Sequence, residues 1–203
     1  MKGIITLLII ILFNACYVQP VTYYNTDDIV VPIDLKGFKG YTIKKGEHTS
    51  GTHIDVTYND NIEAYVQLSE SMHYRLQDTV DQWDVNKIIG LSDAIHHHTA
   101  SIRLGWRSIQ NRIDLVAYVR QEGIHTTYPL IQMENAKGVI YTKIIIYPMY
   151  YKITVMDIND KGNTNTLQIK RNKPYTGIRY KLYPYFGGSS KAPHDIQINI
   201  KEI

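Results

Sequence analysis

Arginine, aspartate and tyrosine alternate with apolar residues in two neighbouring segments of the chain. In "ASIRLGWR" the polar positions are Arg103 and Arg107, and in "RIDLVAYVR" they include Asp114, Tyr118 and Arg120. Because successive side chains of a strand point to opposite faces, these residues share one face of each strand. The linker "SIQN" suits a hairpin, which would bring both polar faces onto one sheet surface.

Arginine on such a surface binds carboxylates and sulfates through two parallel N–H donors, and a tyrosine beside it stacks on a sugar ring or donates its hydroxyl. The pattern therefore predicts a ligand-binding face. The alternative is a solvated sheet face held by cross-strand charge pairs.

Three consecutive histidines, His96 to His98, precede the first of these segments. In a strand, two of them would share a face, and Asp93 would add a third ligand for zinc. That ligand set is incomplete, so we expect no metal site; polar packing of a loop is the simpler interpretation. His97 or His98 in a cleft is also a candidate general base.

Tyrosine dominates the aromatic residues, with 17 Tyr against 3 Phe and 2 Trp. It is a common residue of glycan-binding surfaces and also a good strand former, so the excess favours a glycan only mildly. The stretch "LYPYFGGSSKAPHDIQINI" places Tyr183 and Tyr185 before a Gly-Gly pair. We interpret it as a strand, a tight connection and a final strand that close the fold, with both tyrosines available as a rim.

Glycosidase chemistry needs two carboxylates beside one bond, and no such pair is apparent. A uronate lyase needs less, namely a cation for the carboxylate and a Tyr or His to move the proton. Arg103, Tyr118 and His97 or His98 satisfy that list as candidate catalytic residues. No phosphate loop, nucleophile elbow or H-E-x-x-H motif is present.

The elements that must position these residues are almost all strands. Short β-branched and aromatic segments alternate with Gly, Asn, Asp and Pro turns, which predicts an all-β antiparallel sandwich of the jelly-roll type with few or no helices. The predicted strands are 29–34, 40–45, 53–58, 62–68, 100–107, 112–120, 124–132, 138–147, 150–157, 164–171, 178–183 and 195–202. A further strand is predicted to run through Gln77, with a short helix as the alternative.

The N-terminal segment predicts export. Lys2 precedes an apolar run too short to span a bilayer, which is typical of a signal peptide over residues 1–15. Cys16 is the only cysteine and follows Ala15, so we expect lipidation there, a tether over 16–28 and one sandwich domain over 29–203. A plain signal peptide with a free cysteine is the alternative.

These features predict a cell-envelope protein of a diderm bacterium, lipid-anchored in the outer membrane or the periplasm. Tyr17 stands where inner-membrane lipoproteins often have Asp, which favours the outer membrane. The net charge of +3 is small and the sequence has no dense basic patch, so we do not expect nucleic-acid binding.

The segments "TIKKGEHTSG", "NKIIGLSDAIHHHTASIRLGWR", "IDLVAYVRQEG" and "LYPYFGGSSKAPHDIQINI" resemble a set of short exported bacterial proteins that share a P-Y-F-G-G…A-P-H-D-I ending. The likeness covers most of residues 40–202 and implies no settled activity. The terminal pattern also resembles the jelly-roll sandwiches of concanavalin-like lectins and polysaccharide lyases, although the lyases' R-x-E-x-R and Q-I-H strands are missing.

The leading hypothesis is therefore an exported lipoprotein that binds a polysaccharide through a sheet face, with Arg103, Arg107, Asp114, Tyr118 and Tyr185 as ligand-binding residues. The first alternative is a polysaccharide lyase acting on a uronate glycan. The second is a structural or interaction lipoprotein with no small ligand. The sequence favours binding over catalysis and predicts no cofactor.

Overall fold

The protein is an all-β sandwich of two antiparallel sheets. The computed structural model describes the backbone of 22–23 and residues 36–51, 55–134, 136–175 and 177–203. The predicted signal peptide, Cys16 and the predicted strand 29–34 lie outside the described residues. No helix in the described part of the chain is long and apolar enough to cross a membrane.

Seven strands form the first sheet, in the order β1-β11-β10-β9-β4-β13-β2. Their bounds are Thr22–Tyr23 (β1), Lys39–Ile43 (β2), Asn61–Leu68 (β4), Gly138–Ile146 (β9), Tyr150–Asp157 (β10), Thr164–Lys170 (β11) and Ile196–Glu202 (β13). β1 lies within the segment predicted to be a tether and pairs with β11.

Six strands form the second sheet, in the order β3-β12-β5-β6-β7-β8. They are Asp55–Thr57 (β3), Asn86–Ser92 (β5), Ser101–Ile109 (β6), Arg112–Gln121 (β7), Ile124–Met133 (β8) and Arg179–Leu182 (β12). The predicted jelly-roll sandwich is confirmed. Two short 3-10 turns, Glu70–Met72 and Asp81–Trp83, are the helical elements of the described residues.

The core lies between the two sheets. Both sheets contribute fully buried side chains to it, including Trp106 from the second sheet and Tyr151 from the first. Phe186, from the segment between β12 and β13, fills the same core and meets the Tyr74 ring edge-on at 5.0 Å between centroids. Burial of these large apolar side chains is the main favourable term for the fold.

Three predictions about elements were wrong. β5 was not predicted, although it lies near the centre of its sheet. The strand expected through Gln77 is replaced by the first 3-10 turn and a loop, in which the Tyr74 amide donates to the Ser108 hydroxyl at 3.1 Å. β12 and β13, expected to be joined by a tight connection, belong to different sheets, so the segment between them crosses from one sheet to the other.

A buried carboxylate joins the two sheets at one end of the sandwich. Asp93 follows β5, and its side chain is fully buried. Arg171, just after β11, donates to both of its oxygens at 2.8 and 2.9 Å, and the Tyr151 hydroxyl of β10 donates at 2.7 Å. Arg179 of β12 adds a longer contact of 3.4 Å. Elements of both sheets therefore meet at one charge.

We predict that Asp93→Asn lowers the free energy of unfolding by about 3–5 kcal/mol, because it removes the counter-charge of the buried Arg171 guanidinium. Denaturant unfolding followed by circular dichroism measures this. The control is Glu47→Gln, which removes an exposed carboxylate and should stay within about 0.5 kcal/mol of the wild type. Equal stabilities of the two variants would contradict a central role for Asp93.

Candidate functional site

The predicted hairpin carries its polar residues on one surface. β6 and β7 pair so that Arg103 lies opposite Tyr118 and Arg107 opposite Asp114. The turn residues Gln110 and Asn111 both have positive φ, 50° and 64°, as the tight turn of a two-residue hairpin requires. The predicted co-location of these four side chains on the outer face of the second sheet is confirmed.

The neighbouring strands add residues to this face. In β8, His125 lies opposite Arg120 and Thr127 lies opposite Tyr118. In β5, Lys87 lies opposite Gly105, and its Nζ is 4.5 Å from the centroid of the Tyr118 ring.

A cleft of about 370 Å³ opens over this face. Its wall contains three cations, one carboxylate and two aromatic side chains besides smaller groups. The lining residues are Trp83, Asp84, Val85, Lys87, Arg107, Tyr118, Arg120, His125, Thr127 and Gly188. We call it the cationic cleft.

Arg103 lies at the edge of the cationic cleft as a buried residue, with only 7% of its surface exposed. Its Nη2 donates to the Tyr183 carbonyl at 2.6 Å. Burial lowers the pKa of Arg103 to about 10, so the guanidinium stays charged at neutral pH. Opposite it stands Gly90, where a side chain would collide with the Arg103 backbone and stem. Arg103 therefore adds positive charge beside the cleft and holds the Tyr183 carbonyl, but it exposes little surface to a ligand.

The other two arginines are more available. Arg120 donates to the His98 ring at 3.1 Å and to the Gly123 carbonyl at 2.9 Å. Arg107 makes no hydrogen bond or ion pair with the residues that the structure describes. Asp114 lies directly opposite Arg107 but forms its ion pair with Arg112, at 3.1 Å.

Three guanidinium groups on this face hold donors without acceptors. The Nε atoms of Arg103, Arg107 and Arg120 are each buried with no partner among the described residues. A buried donor without an acceptor is costly, and native structures generally supply one. Unsatisfied donors of one sign at one place are characteristic of a surface that accepts an anion.

Lys87 stands between two aromatic rings. Its Nζ is 4.5 Å from the Tyr118 centroid and 5.7 Å from the Tyr185 centroid. Burial, followed by the charges of Arg103 and Arg120, lowers the pKa of Lys87 to about 8. Burial also raises the pKa of Tyr118, so that phenol stays protonated at neutral pH. The cleft thus holds a lysine that titrates near neutrality beside a tyrosine that does not.

The histidines form a loop between β5 and β6, closed by a hydrogen bond of 2.7 Å from the Thr99 amide to the His96 carbonyl. Burial lowers the pKa of His97 to about 4 and that of His98 below its usual value. Both rings are therefore neutral at pH 7, and they contact each other at 4.1 Å between centroids.

Asp93 points away from these histidines into its buried ion pairs, so the ligand trio considered for zinc does not assemble. No group of three or more His, Cys, Asp or Glu among the described residues could hold a metal ion.

The "PYFGG" segment is part of the scaffold and also borders the cleft. Tyr185 exchanges backbone hydrogen bonds with Lys87 at 2.8 and 3.0 Å, and the Gly187 amide donates to the buried Asn86 side chain at 2.8 Å. A side chain at position 187 would collide with the Val85 carbonyl and the Lys87 ammonium. Glycine here allows the segment to pack directly against the start of β5.

Of the two tyrosines expected at a rim, only Tyr185 reaches this face. Tyr183 is buried, its ring stacks on Tyr41 at 5.3 Å, and its hydroxyl donates to Asp55. Its carbonyl, which accepts from Arg103, is its link to the site.

Sequence reasoning missed Lys87, Asp84, His125 and Trp83. The available signal was the segment "NKIIGLS", whose alternation is interrupted by a bulge between Lys87 and Ile89. Such bulges are common beside functional sites because they redirect a side chain.

No protein-family model matches the chain, and no curated protein matches it. Among solved structures, it is similar to an alginate lyase from Klebsiella pneumoniae, with a TM-score of 0.48 and 14% identity over 70% of this chain and 59% of that one. A GH43 protein from Bacillus licheniformis aligns with a TM-score of 0.48 and 11% identity, over 82% of this chain and 33% of that one. The enzymatically active domain of tailspike protein 2 of bacteriophage CBA120 aligns with a TM-score of 0.42 and 7% identity, over 80% of this chain and 27% of that one.

The chain thus spans between about a quarter and three fifths of the lengths of these proteins. At such identities and TM-scores, the similarity assigns no activity to this chain.

Proposed function

We propose that the protein binds an acidic polysaccharide in the cationic cleft. The observation that carries this proposal is the excess of positive charge: Lys87, Arg107 and Arg120 line one cleft, the only carboxylate among its lining residues is that of Asp84, and both arginines have an Nε without an acceptor among the described residues. Of the ligand-binding residues expected from the sequence, Arg107 and Tyr118 line this cleft, and Tyr185 borders it through Lys87.

The chemistry of the cleft suits a sugar acid. A guanidinium presents parallel N–H donors that match a carboxylate or a sulfate. The Tyr118 ring, stacked on His125 at 5.4 Å, offers an apolar face with polar edges, which suits a pyranose. The cleft volume of about 370 Å³ is within the range of small-ligand sites, so it suits a short stretch of a polymer.

We predict that alginate, polygalacturonate or hyaluronan binds measurably and that dextran, a neutral glycan, does not. Arg107→Ala should weaken acidic binding about tenfold or more, because charge-assisted hydrogen bonds contribute about 1.5–3 kcal/mol each. Isothermal titration calorimetry at two salt concentrations measures both effects, and high salt should weaken binding.

The matched control is Lys170→Ala, which removes an exposed cation from the seven-stranded sheet and should leave affinity unchanged. Arg107 is a better probe than Arg103, whose loss would also disturb the buried contact with Tyr183. Equal affinity for dextran, or full affinity in Arg107→Ala, would contradict the proposal. Absence of binding to every glycan would leave a structural or interaction role.

A second candidate function, a uronate lyase, is favoured by the position of Lys87. In β-elimination a base removes the proton at C5 of the uronate, the C4–O bond breaks, and an acid protonates the departing oxygen. Neutral Lys87 is a suitable base, protonated Tyr118 a suitable acid, and the arginines would neutralise the carboxylate.

Binding and elimination require opposite states of Lys87, so pH separates them. Because its pKa is about 8, affinity for an acidic glycan should fall as pH rises through 8, and Lys87→Met should abolish that fall. A lyase rate at saturating glycan should rise through the same pH and vanish in Lys87→Met. The absorbance of the unsaturated uronate product measures the rate. No product at any pH, with binding intact, would exclude the lyase and leave the binding protein.

We also propose that lipid on Cys16 tethers the protein to a membrane of the cell envelope. Expression in a diderm bacterium, with and without globomycin, tests this: the wild-type precursor should accumulate with the inhibitor. Cys16→Ala should be insensitive to globomycin and should not label with palmitate. Normal processing of the wild type in the presence of globomycin would contradict lipidation.

A further inference from the structure

An exposed tryptophan stands at the edge of the cationic cleft. Trp83 has 59% of its surface exposed, whereas Trp106, the other tryptophan of the sequence, is fully buried. Tryptophan has the largest apolar surface of any residue, and exposing it to water forgoes the free energy of its burial. Val80, beside it, is 77% exposed, so the apolar surface here is larger than one ring.

The turn that carries Trp83 is held in place by side chains. Gln82 donates to the Ser108 carbonyl at 2.6 Å and accepts from the Leu76 amide at 2.7 Å. The hydroxyl of Ser190 donates to Asp81 at 2.5 Å, which ties the turn to the segment between β12 and β13. The ring is thus presented from an anchored base, which reduces the entropy lost when a ligand contacts it.

A second depression lies beside Trp83. It has a volume of about 440 Å³ and shares Trp83 with the cationic cleft. Its other polar groups are mainly neutral, with the hydroxyls of Thr79 and Ser108, the amides of Gln110 and Asn111, and one cation, Arg75. Side-chain amides and hydroxyls that both donate and accept hydrogen bonds suit sugar hydroxyls better than they suit a lone anion.

We propose that Trp83 is a stacking platform for one pyranose ring and that the second depression is a subsite for the next sugar of the same chain. This inference rests on the proposed binding of an acidic polysaccharide. The ligand class it defines is an oligosaccharide that places an acidic sugar over Arg107 and a hydroxyl-rich neutral sugar beyond Trp83. A chain that alternates a uronate with a neutral sugar fits both depressions.

Hyaluronan oligosaccharides test the proposal, because they alternate in this way. A hexasaccharide should reduce acrylamide quenching of tryptophan fluorescence, and the change reports on Trp83, since Trp106 is inaccessible. Trp83→Ala should weaken hexasaccharide binding about tenfold, as is common for a tryptophan at the centre of a binding surface. Free glucuronate, a single acidic sugar with no neighbour to place beyond Trp83, should lose less affinity than the hexasaccharide does.

Trp83→Phe is the conservative control, since it keeps a ring and should retain most of the affinity. Thermal unfolding should show that both variants fold like the wild type. Full hexasaccharide affinity in Trp83→Ala, or unchanged quenching on binding, would contradict the stacking role of Trp83. Neither result would contradict binding of an acidic sugar in the cationic cleft. If the hyaluronan hexasaccharide does not bind the wild type but polygalacturonate does, the neutral subsite is wrong. Failure of all acidic glycans would overturn the proposed function itself.

Discussion

The Asp93 carboxylate is the constraint on which much of this structure depends. A charge without water must be surrounded by donors, and here these come from β10, from the residue after β11 and from β12. Once those groups converge, the two sheets have a fixed separation and relative position at that end of the sandwich. The same residue begins the histidine loop, and its amide donates to the Ala100 carbonyl at 2.9 Å. The loop beside Arg103 and Arg120 is therefore anchored by the group that joins the sheets.

In the cationic cleft, by contrast, three positively charged side chains lie close together with the carboxylate of Asp84. Burial lowers the pKa values of Lys87 and Arg103, and for Lys87 the neighbouring charges of Arg103 and Arg120 lower it further. Arg107 makes no ion pair with the described residues. The fold thus surrounds a buried aspartate with several donors, yet on this sheet face it leaves the Nε atoms of Arg103, Arg107 and Arg120 without acceptors among the described residues. Such local conflict with the rest of a well-satisfied fold is typical of functional sites.

The sequence predicts the hairpin of β6 and β7, because alternation places the polar residues of both strands on one face. Arg103, Arg107 and Tyr118 follow from that alternation, whereas the turn, Gln110 and Asn111, is shorter than the linker "SIQN" expected from the sequence. Lys87 could not be found in the same way, since the bulge after it breaks the alternation of β5. The error near Tyr74 has a related cause: its buried residues alternate, but the backbone there bonds to side chains instead of to a neighbouring strand. Alternation of apolar residues predicts which side chains are buried. Backbone pairing also requires a neighbouring strand, and a single sequence does not show where that strand lies.

The position of β13 has a consequence for how the chain acquires its fold. β13 lies between β2 and β4 in the seven-stranded sheet, and β2 has no other partner strand among the described residues. Ile43 of β2 pairs with Ile196 of β13. More than 150 residues must therefore be synthesised after β2 before its backbone hydrogen bonds to β13 can form. Contacts of such long range slow folding, since the loop must close before the pairing repays its entropy. A chain synthesised from its N-terminus therefore cannot complete this edge of the sheet, formed by β2 and β13, until its last strand emerges. Such a delay would suit the location in the cell envelope that we propose, since a chain that crosses a membrane unfolded completes its structure afterwards.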